Sequence, residues 1–263
     1  MPRTNGYSMP VATEWLLDAV GDTGRAAVGA VFMIINPKAS TKGTGFLLDS
    51  GYLVTNEHVV RGCTAEELQI ISSNSTRHVA NNLLVDQGRD LAVMHLPVPG
   101  GLTIADVVPD VGVQVSTWGY PLGYNGPAPL LAVGHLAGFE ASTPDGSIKP
   151  AVRRLVVNAA FNGGNSGGPL FVAGDDGVIG VVVSKHAPIP LFLASAIQAL
   201  ASNQSGVVFT ATDGRQFVES QVVAEVLQYF RDMTQVVIGE AIAASELIDF
   251  LNENSIPWPS RTK

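Results

Sequence analysis

The amino-acid sequence predicts an all-β fold that carries a few helices. Its 263 residues include 28 glycines and 16 prolines, spread along the whole chain, and residues of these two types separate short strands. Apolar residues make up 46% of the chain and charged residues only 14%. A chain of this composition buries a sizeable core and is not intrinsically disordered.

Two series of strand-like apolar runs are separated by Pro97–Gly101, a segment that neither continues a helix nor pairs inside a sheet. We take this segment as the boundary between two β regions. The runs are Val28–Ile35, Thr44–Leu48, Tyr52–Thr55, Leu68–Ser72, Leu83–Val85 and Leu91–Leu96, then Val113–Trp118, Leu131–Phe139, Arg154–Asn158, Pro169–Val172 and Val178–Ser184.

Helices are predicted near the two ends of the chain and in one internal stretch. A short helix, Glu14–Val20, lies in the N-terminal segment 1–25, and Ser245 begins a helix that ends before Pro257. Between residues 187 and 234 we expect a helix over 191–201, a hairpin around Asp213-Gly214 and a helix over 221–233. The apolar stripe of that last helix is predicted to be core: Val222, Val226, Tyr229, Phe230 and Met233.

Charge and cysteine content exclude several classes of function. A net charge of −8 argues against a general nucleic-acid binder, and the Arg153-Arg154 pair is predicted to be a solvated strand end. Cys63 is the single cysteine, so no internal disulfide forms, and no Cys/His cluster indicates a metal; we expect no cofactor. The absence of a signal peptide or a membrane-spanning run predicts a cytoplasmic protein without membrane partners.

Three separated segments carry side chains suited to nucleophilic catalysis. Ser166 lies within Gly163–Leu170, between glycines at a tight turn where main-chain N–H groups converge on an oxyanion. His58 follows the strand Tyr52–Thr55, and Asp90 precedes the strand Leu91–Leu96. Taken singly, each has a simpler explanation: a flexible loop, a structural histidine, and a turn residue.

Taken together, in the order His, Asp, Ser, these segments resemble the trypsin-like (chymotrypsin-fold) serine proteases, and most closely the bacterial HtrA-like branch. Gly43-Thr44-Gly45-Phe46 resembles that branch's strand ahead of the histidine, and Gly119–Gly123 resembles its Gly-x-Pro-x-Gly turn. The resemblance covers roughly residues 26–186 and 235–256.

The resemblance implies two six-stranded antiparallel β-barrels with the catalytic groups in the cleft between them. The first barrel would span 26–98, and the second 99–186 with 235–256, ending in a C-terminal helix. Residues 187–234 would be an α/β insertion beside the specificity pocket. The peptide-binding PDZ domain usual in HtrA-like proteins has no counterpart in the sequence, so we expect a member of the branch without one.

The resemblance also implies a serine endopeptidase, a hydrolase that acts on polypeptides through an acyl-enzyme. Ser166 would attack the peptide carbonyl, His58 would accept and return the proton, and Asp90 would orient the imidazole. The N–H groups of Gly164 and Ser166 would form the oxyanion hole. Asn165 stands where digestive relatives have an aspartate that pairs with a new N-terminal amine, so no propeptide cleavage is expected.

The walls of the substrate pocket are expected from three places: Ala160-Phe161, Ser184-Lys185-His186 and Gly239-Glu240. Phe161 fits a shallow apolar floor. Lys185, His186 and Glu240 either point inward and favour a polar or charged side chain, or lie on the rim in solvent. Ser184 has a further alternative, a hydrogen bond to the aspartate of the triad.

The insertion 187–234 has two interpretations: a lid or docking element for a regulatory protein that gates the cleft, or a segment that packs quietly on the second barrel. Two other functions compete with the endopeptidase. One is a catalytically silent protease-like scaffold that binds peptides or a partner. The other is an esterase of another fold, because Gly164–Gly168 also fits Gly-x-Ser-x-Gly; Gly167-Gly168-Pro169 disfavours the helix that this fold requires after the serine.

Overall fold

The computed structural model describes residues 9–142, 151–183, 191–210, 214–233 and 238–258. The chain forms two compact units, one made of Met1–Lys185 with Val237–Lys263 and the other of His186–Val236. The first unit contains both β regions predicted from the sequence.

Two helices open the first unit: α1 (Val11–Ala19) and α2 (Asp22–Ala30). The strand predicted over Val28–Ile35 therefore begins only at Val31, and this part of the prediction is wrong. A short apolar run does not by itself distinguish a buried helix from a buried strand. Asp22 in the first turn of α2 favours the helix through its dipole, and Ala27 and Val28 are buried on it.

The first sheet has seven antiparallel strands in the order β5-β4-β1-β2-β3-β7-β6. A short helix, α3 (Glu57–Val60), follows the third strand, and a 3₁₀ turn over Ala65–Glu67 precedes the fourth. The strands are β1 (Val31–Asn36), β2 (Thr41–Leu47), β3 (Tyr52–Thr55), β4 (Gln69–Ser72), β5 (Arg77–His78), β6 (Asn81–Asp86) and β7 (Leu91–His95).

This first sheet is a half-barrel, not the closed six-stranded barrel that the resemblance implies. Among the described residues no ladder joins β5 to β6, so these two strands are its edges. The β6–β7 ladder is irregular between Asn81 and Leu84, and Asn82 there has a left-handed φ of 53°. Buried apolar side chains form one core cluster on this sheet, among them Ile34, Leu53 and Met94.

The remaining strands are β8 (Thr103–Ile104), β9 (Gln114–Gly119), β10 (Leu130–Ser142), β11 (Val152–Asn158), β12 (Pro169–Val172), β13 (Gly177–Val183), β14 (Val208–Thr210), β15 (Gln216–Val218) and β16 (Gly239–Ala243). Six of them form a closed barrel in the order β12-β9-β10-β11-β16-β13, because β12 also pairs with β13. The predicted second barrel is thus confirmed, and β8 adds to it in parallel beside β13.

The described residues contain three more helices: α4 (Leu191–Ser202), α5 (Glu219–Met233) and α6 (Ala244–Glu253). The last of these follows β16 and joins a buried cluster that includes residues of both sheets. Leu247 and Leu251 of α6 belong to the same cluster as Val54 of the first sheet and Trp118 of the barrel. This shared core fixes the half-barrel against the barrel.

The second unit contains α4, the β14–β15 hairpin and α5. The hairpin was predicted around Asp213-Gly214; Gly214 has a left-handed φ of 87°, whereas Asp213 lies outside the described residues. Four members of the apolar stripe of α5 are exposed, from 37% at Val222 to 63% at Phe230, so their assignment to a core is wrong; the side chain of Met233 lies outside the described part of the structure. Among residues 219–230 of this helix, the small residue Ala224 is the one that is buried. None of the helices in the described part of the chain is long and apolar enough to span a membrane.

Candidate active site

His58 and Asp90 lie side by side on the first sheet. His58 is on α3 just after β3, and Asp90 immediately precedes β7, the strand that pairs with β3. The ring atom Nδ1 of His58 is 2.8 Å from Oδ2 and 3.0 Å from Oδ1 of Asp90. The main-chain N–H of His58 also donates to Oδ1 at 3.0 Å. This carboxylate therefore fixes both the backbone and the ring of the histidine.

The backbone of Asp90 has a left-handed φ of 59°, a conformation that Asp and Asn tolerate better than most residues. The side chain of Asn56 holds it there, because its Nδ2 donates to the main-chain oxygen of Asp90 at 3.0 Å. Asn56 is fully buried. Its sequence context did not single out this residue, although it stands two positions before the histidine.

Arg89 ties the turn before Asp90 to helix α6. Its Nη1 donates to Asp86 at 2.8 Å, its Nη2 to Glu253 at 2.6 Å, and its Nε is 3.3 Å from Glu246. The hydrogen bond to Glu253 contributes most to raising the pKa of Arg89 above its ordinary value. These bonds anchor the turn before Asp90 to helix α6, which packs against the barrel.

The loop that carries Ser166 belongs to the barrel but lies against the first sheet. Thr44 on β2 donates its N–H to the main-chain oxygen of Ser166 at 2.8 Å and its Oγ1–H to that of Gly164 at 2.6 Å. Gly167 has a left-handed φ of 86°, and a Cβ there would collide with Thr44 and Thr55. Thr55 ends β3, three residues before His58. The serine loop therefore packs on the strand end from which the histidine comes.

Two hydrogen bonds fix the peptide planes of the predicted oxyanion hole. Leu122 donates its N–H to the oxygen of Gly163 at 2.6 Å, and Gly168 donates to the oxygen of Asn165 at 3.0 Å. In a trans peptide the C=O and the N–H point in opposite directions. These bonds thus set the directions of the N–H groups of Gly164 and Ser166. Glycine is required at 164, because its φ is 92° and a Cβ would strike the main-chain oxygen of Tyr120.

The residues predicted to form the substrate pocket are only partly described. Phe161 is 4% exposed, and its ring lies so close to Gly239 that a Cβ on the glycine would collide with it. The apolar floor predicted at Phe161 thus lies against the first residue of β16. Ser184, Lys185 and His186 lie outside the described residues.

Glu240 is buried, at 3% exposure, and its Oε2 lies 3.4 Å from Nη1 of Arg154. It does not lie on a solvated rim, and its assignment to the substrate pocket stays a prediction. The pairing also corrects the expectation of a solvated side chain at Arg154, which is only 16% exposed, whereas the Arg153 side chain is 60% exposed as expected. Within the described ranges, no group of three or more His, Cys, Asp or Glu residues lies close enough to hold a metal ion.

The half-barrel supplies the His58–Asp90 pair, and the closed barrel supplies the glycine-bounded loop that carries Ser166. Together they define a trypsin-like architecture. A family model for the trypsin-like peptidase domain matches residues 43–181, more than half of the chain, and the chain belongs to that family. The predicted all-β, trypsin-like fold is confirmed.

The relatives confirm the resemblance to the HtrA-like branch. The chain is 31% identical over 156 residues to Protease Do-like 1 of Arabidopsis thaliana, which covers 56% of this chain and 34% of that protein. It is 31% identical over 172 residues to the putative serine protease HhoA of Synechocystis, covering 60% and 42%. The chain thus spans less than half the length of these curated relatives.

Solved structures share the fold. The active form of the Rv3671c protease from Mycobacterium tuberculosis superposes with a TM-score of 0.60 at 19% identity, covering 98% of this chain and 95% of that one. The HtrA-type protease AlgW, solved with a tripeptide, superposes with a TM-score of 0.57 at 19% identity, covering 89% and 64%. At these identities the likeness concerns the architecture alone.

Proposed function

We propose that this chain is a serine endopeptidase that hydrolyses polypeptides through a triad of His58, Asp90 and Ser166. Membership of the trypsin-like peptidase family supports the reaction class. The observation that carries the assignment of residues is the 2.8 Å contact between Nδ1 of His58 and Asp90. It occurs where the serine loop packs on the strand end before the histidine.

The roles in the acylation step follow from which ring nitrogen of His58 is already hydrogen-bonded. Because the Asp90 carboxylate accepts a hydrogen bond from Nδ1–H of His58, the other ring nitrogen, Nε2, is left to act as the base. Nε2 takes the proton of the Ser166 hydroxyl as its oxygen attacks the peptide carbonyl carbon. The C–N bond then breaks, and the same proton passes to the leaving amine.

Water resolves the acyl-enzyme by the same route. His58 removes a proton from the water as its oxygen attacks the ester carbon, and the proton returns to Ser166 when the acid leaves. In both steps the N–H groups of Gly164 and Ser166 donate to the oxyanion. Each such donor is worth about 2.7–4 kcal/mol in the transition state.

A fluorophosphonate probe tests the proposal directly, because it phosphonylates only an activated serine. The wild-type chain should be labelled, with the adduct on Ser166 by mass spectrometry, and Ser166→Ala and His58→Ala should abolish labelling. Ser72→Ala, at a partly buried hydroxyl of β4 that bonds to Asn74, is the matched control and should label normally. A folded wild-type chain that stays unlabelled, with and without residues 190–232, would indicate a silent scaffold instead.

We also propose that the insertion 187–234 gates the cleft, alone or with a regulatory protein. Support comes from its place in the chain between β13 and β16 and from the exposed apolar side chains of Val222, Val226, Tyr229 and Phe230 on α5. Replacing 190–232 by a short Gly/Ser linker should change kcat/KM for a peptide substrate. Equal turnover by the two forms would contradict gating.

A further inference from the structure

Lys42 on β2 makes contacts with the barrel that no part of the reaction scheme uses. Its Nζ donates to the main-chain oxygen of Pro121 at 2.9 Å and to that of Tyr124 at 2.7 Å. Burial lowers the pKa of this lysine, so its ammonium group has given up part of its hydration. Hydrogen bonds from a charged donor are about twice as strong as neutral ones and offset that loss. The Lys42 side chain thereby holds the first and last residues of the turn 121–124 by hydrogen bonds.

The turn 121–124 supports the loop that carries Ser166. Leu122, at its centre, donates its N–H to the oxygen of Gly163 at 2.6 Å. A Cβ added to Gly163 would lie 2.7 Å from Cδ1 of Leu122. The turn and the loop are therefore in direct contact, and a shift of the turn moves the peptide that joins Gly163 to Gly164.

We propose that Lys42 is a positioning residue for the oxyanion hole. By holding the carbonyls of Pro121 and Tyr124, its ammonium keeps the Leu122 N–H on the Gly163 oxygen. That bond keeps the N–H of Gly164 turned to the opposite side, where the reacting carbonyl oxygen would lie. Lys42 itself touches neither the substrate nor the reacting atoms, and the catalytic part of this inference rests on the proposed function.

The informative variant is Lys42→Met, which keeps most of the aliphatic length and removes the donor. Lys38→Met is its matched control. Lys38 also donates its Nζ to a main-chain oxygen, that of Gly62 at 3.0 Å, and to Glu67 at 2.7 Å. Its side chain is 53% exposed, and neither partner belongs to the turn 121–124 or to the loop that carries Ser166.

The first measurement is hydrogen exchange on the full chain, read by mass spectrometry, and it needs no enzymatic activity. Lys42→Met should speed exchange about tenfold in peptides covering 119–125 and 160–168, because the turn and loop then open locally. Exchange in β3 and β7 should not change, which separates local opening from global unfolding. Lys38→Met should leave all four regions as in the wild type. Wild-type protection of both loop peptides in Lys42→Met would overturn the proposal.

The second measurement is kinetic. Misorientation of one oxyanion donor should lower kcat by about ten- to a hundredfold, with KM within about twofold, and should slow fluorophosphonate labelling by the same factor. In a Cys63→Ala background, Lys42→Cys alkylated with 2-bromoethylamine restores an ammonium at the same reach and should recover kcat. A change confined to KM, or no recovery, would overturn the positioning role. An inactive, unlabelled wild type would instead contradict the proposed function, and the exchange result would still decide the role of Lys42.

Discussion

Replacing Gly167 by alanine tests whether the serine loop is held by close packing against the first sheet. The residue has a left-handed φ of 86°, and a Cβ would collide with the main-chain oxygen of Thr44 and with Oγ1 of Thr55. The left-handed backbone costs about 1–2 kcal/mol for an L-residue. Overpacking a tight interior site costs about 1–3 kcal/mol more. The free energy of unfolding should therefore fall by about 2–5 kcal/mol.

Gly112→Ala is the matched control, because it imposes the same backbone cost without the collision. Gly112 has a φ of 91°, and a Cβ there would meet nothing within 4 Å. Its expected loss is about 1–2 kcal/mol. Urea unfolding of both variants and the wild type, followed by tryptophan fluorescence in one buffer, isolates the collision as the difference between them.

The same pair gives a functional readout. Gly167 follows Ser166 directly, so a loop displaced from Thr44 and Thr55 should react with a fluorophosphonate at least about tenfold more slowly per folded molecule. The control should label at the wild-type rate. If the two variants were equally stable within about 0.5 kcal/mol and labelled equally fast, the close packing described for this loop would be refuted.

Three further changes probe the elements around the site. Asp90→Asn should lower kcat by about 10⁴-fold, because an amide does not hold the His58 tautomer. Asparagine tolerates the left-handed backbone, so the melting temperature should stay close to that of the wild type. An active variant would count against the triad. Thr44→Val should cost about 2–4 kcal/mol in urea unfolding, because it leaves two buried main-chain groups without their partner; an unchanged midpoint would contradict this. Glu253→Gln should cost less than about 1 kcal/mol at neutral pH, since the side chain is 55% exposed. Because Arg89 lowers the pKa of Glu253 from its ordinary 4.5, this stability is present above pH 4.5 and is lost as the pH falls through the lower folded pKa. The unfolding curves should therefore converge in acid, and a gap that persists there would exclude the ion pair as the cause.

Strands were predictable where the local pattern alone decides the structure. The bounds expected for β3, Tyr52–Thr55, and for β12, Pro169–Val172, are those observed, because turn signals flank both runs. The start of β1 was not predictable, because the apolar residues Val28–Ala30 fit a buried helix as well as a buried strand. Tertiary packing places them in α2. The open first sheet was also missed, since closure depends on which edge strands meet.

At the site, too, local sequence motifs were predictable and long-range contacts were not. His58, Asp90 and Ser166 stand in short motifs whose order along the chain indicates the family. The contacts of Thr44 and Lys42 could not be predicted because their partners are far away in sequence, 120 residues for the bond from Thr44 to Gly164 and 79 for that from Lys42 to Pro121. Nothing in their own neighbourhoods specifies those partners.

The irregular β6 has a consequence for how copies of this protein behave at high concentration. An uncovered strand offers its free N–H and C=O groups to a strand of another molecule, and natural sheets suppress such growth with short or bulged margins. Here one margin of the half-barrel, β5, has two residues, and the other breaks register between Asn81 and Leu84. The half-barrel thus resists edge-to-edge growth into fibrils without closing on itself, whereas the six strands of the neighbouring barrel pair in a closed ring.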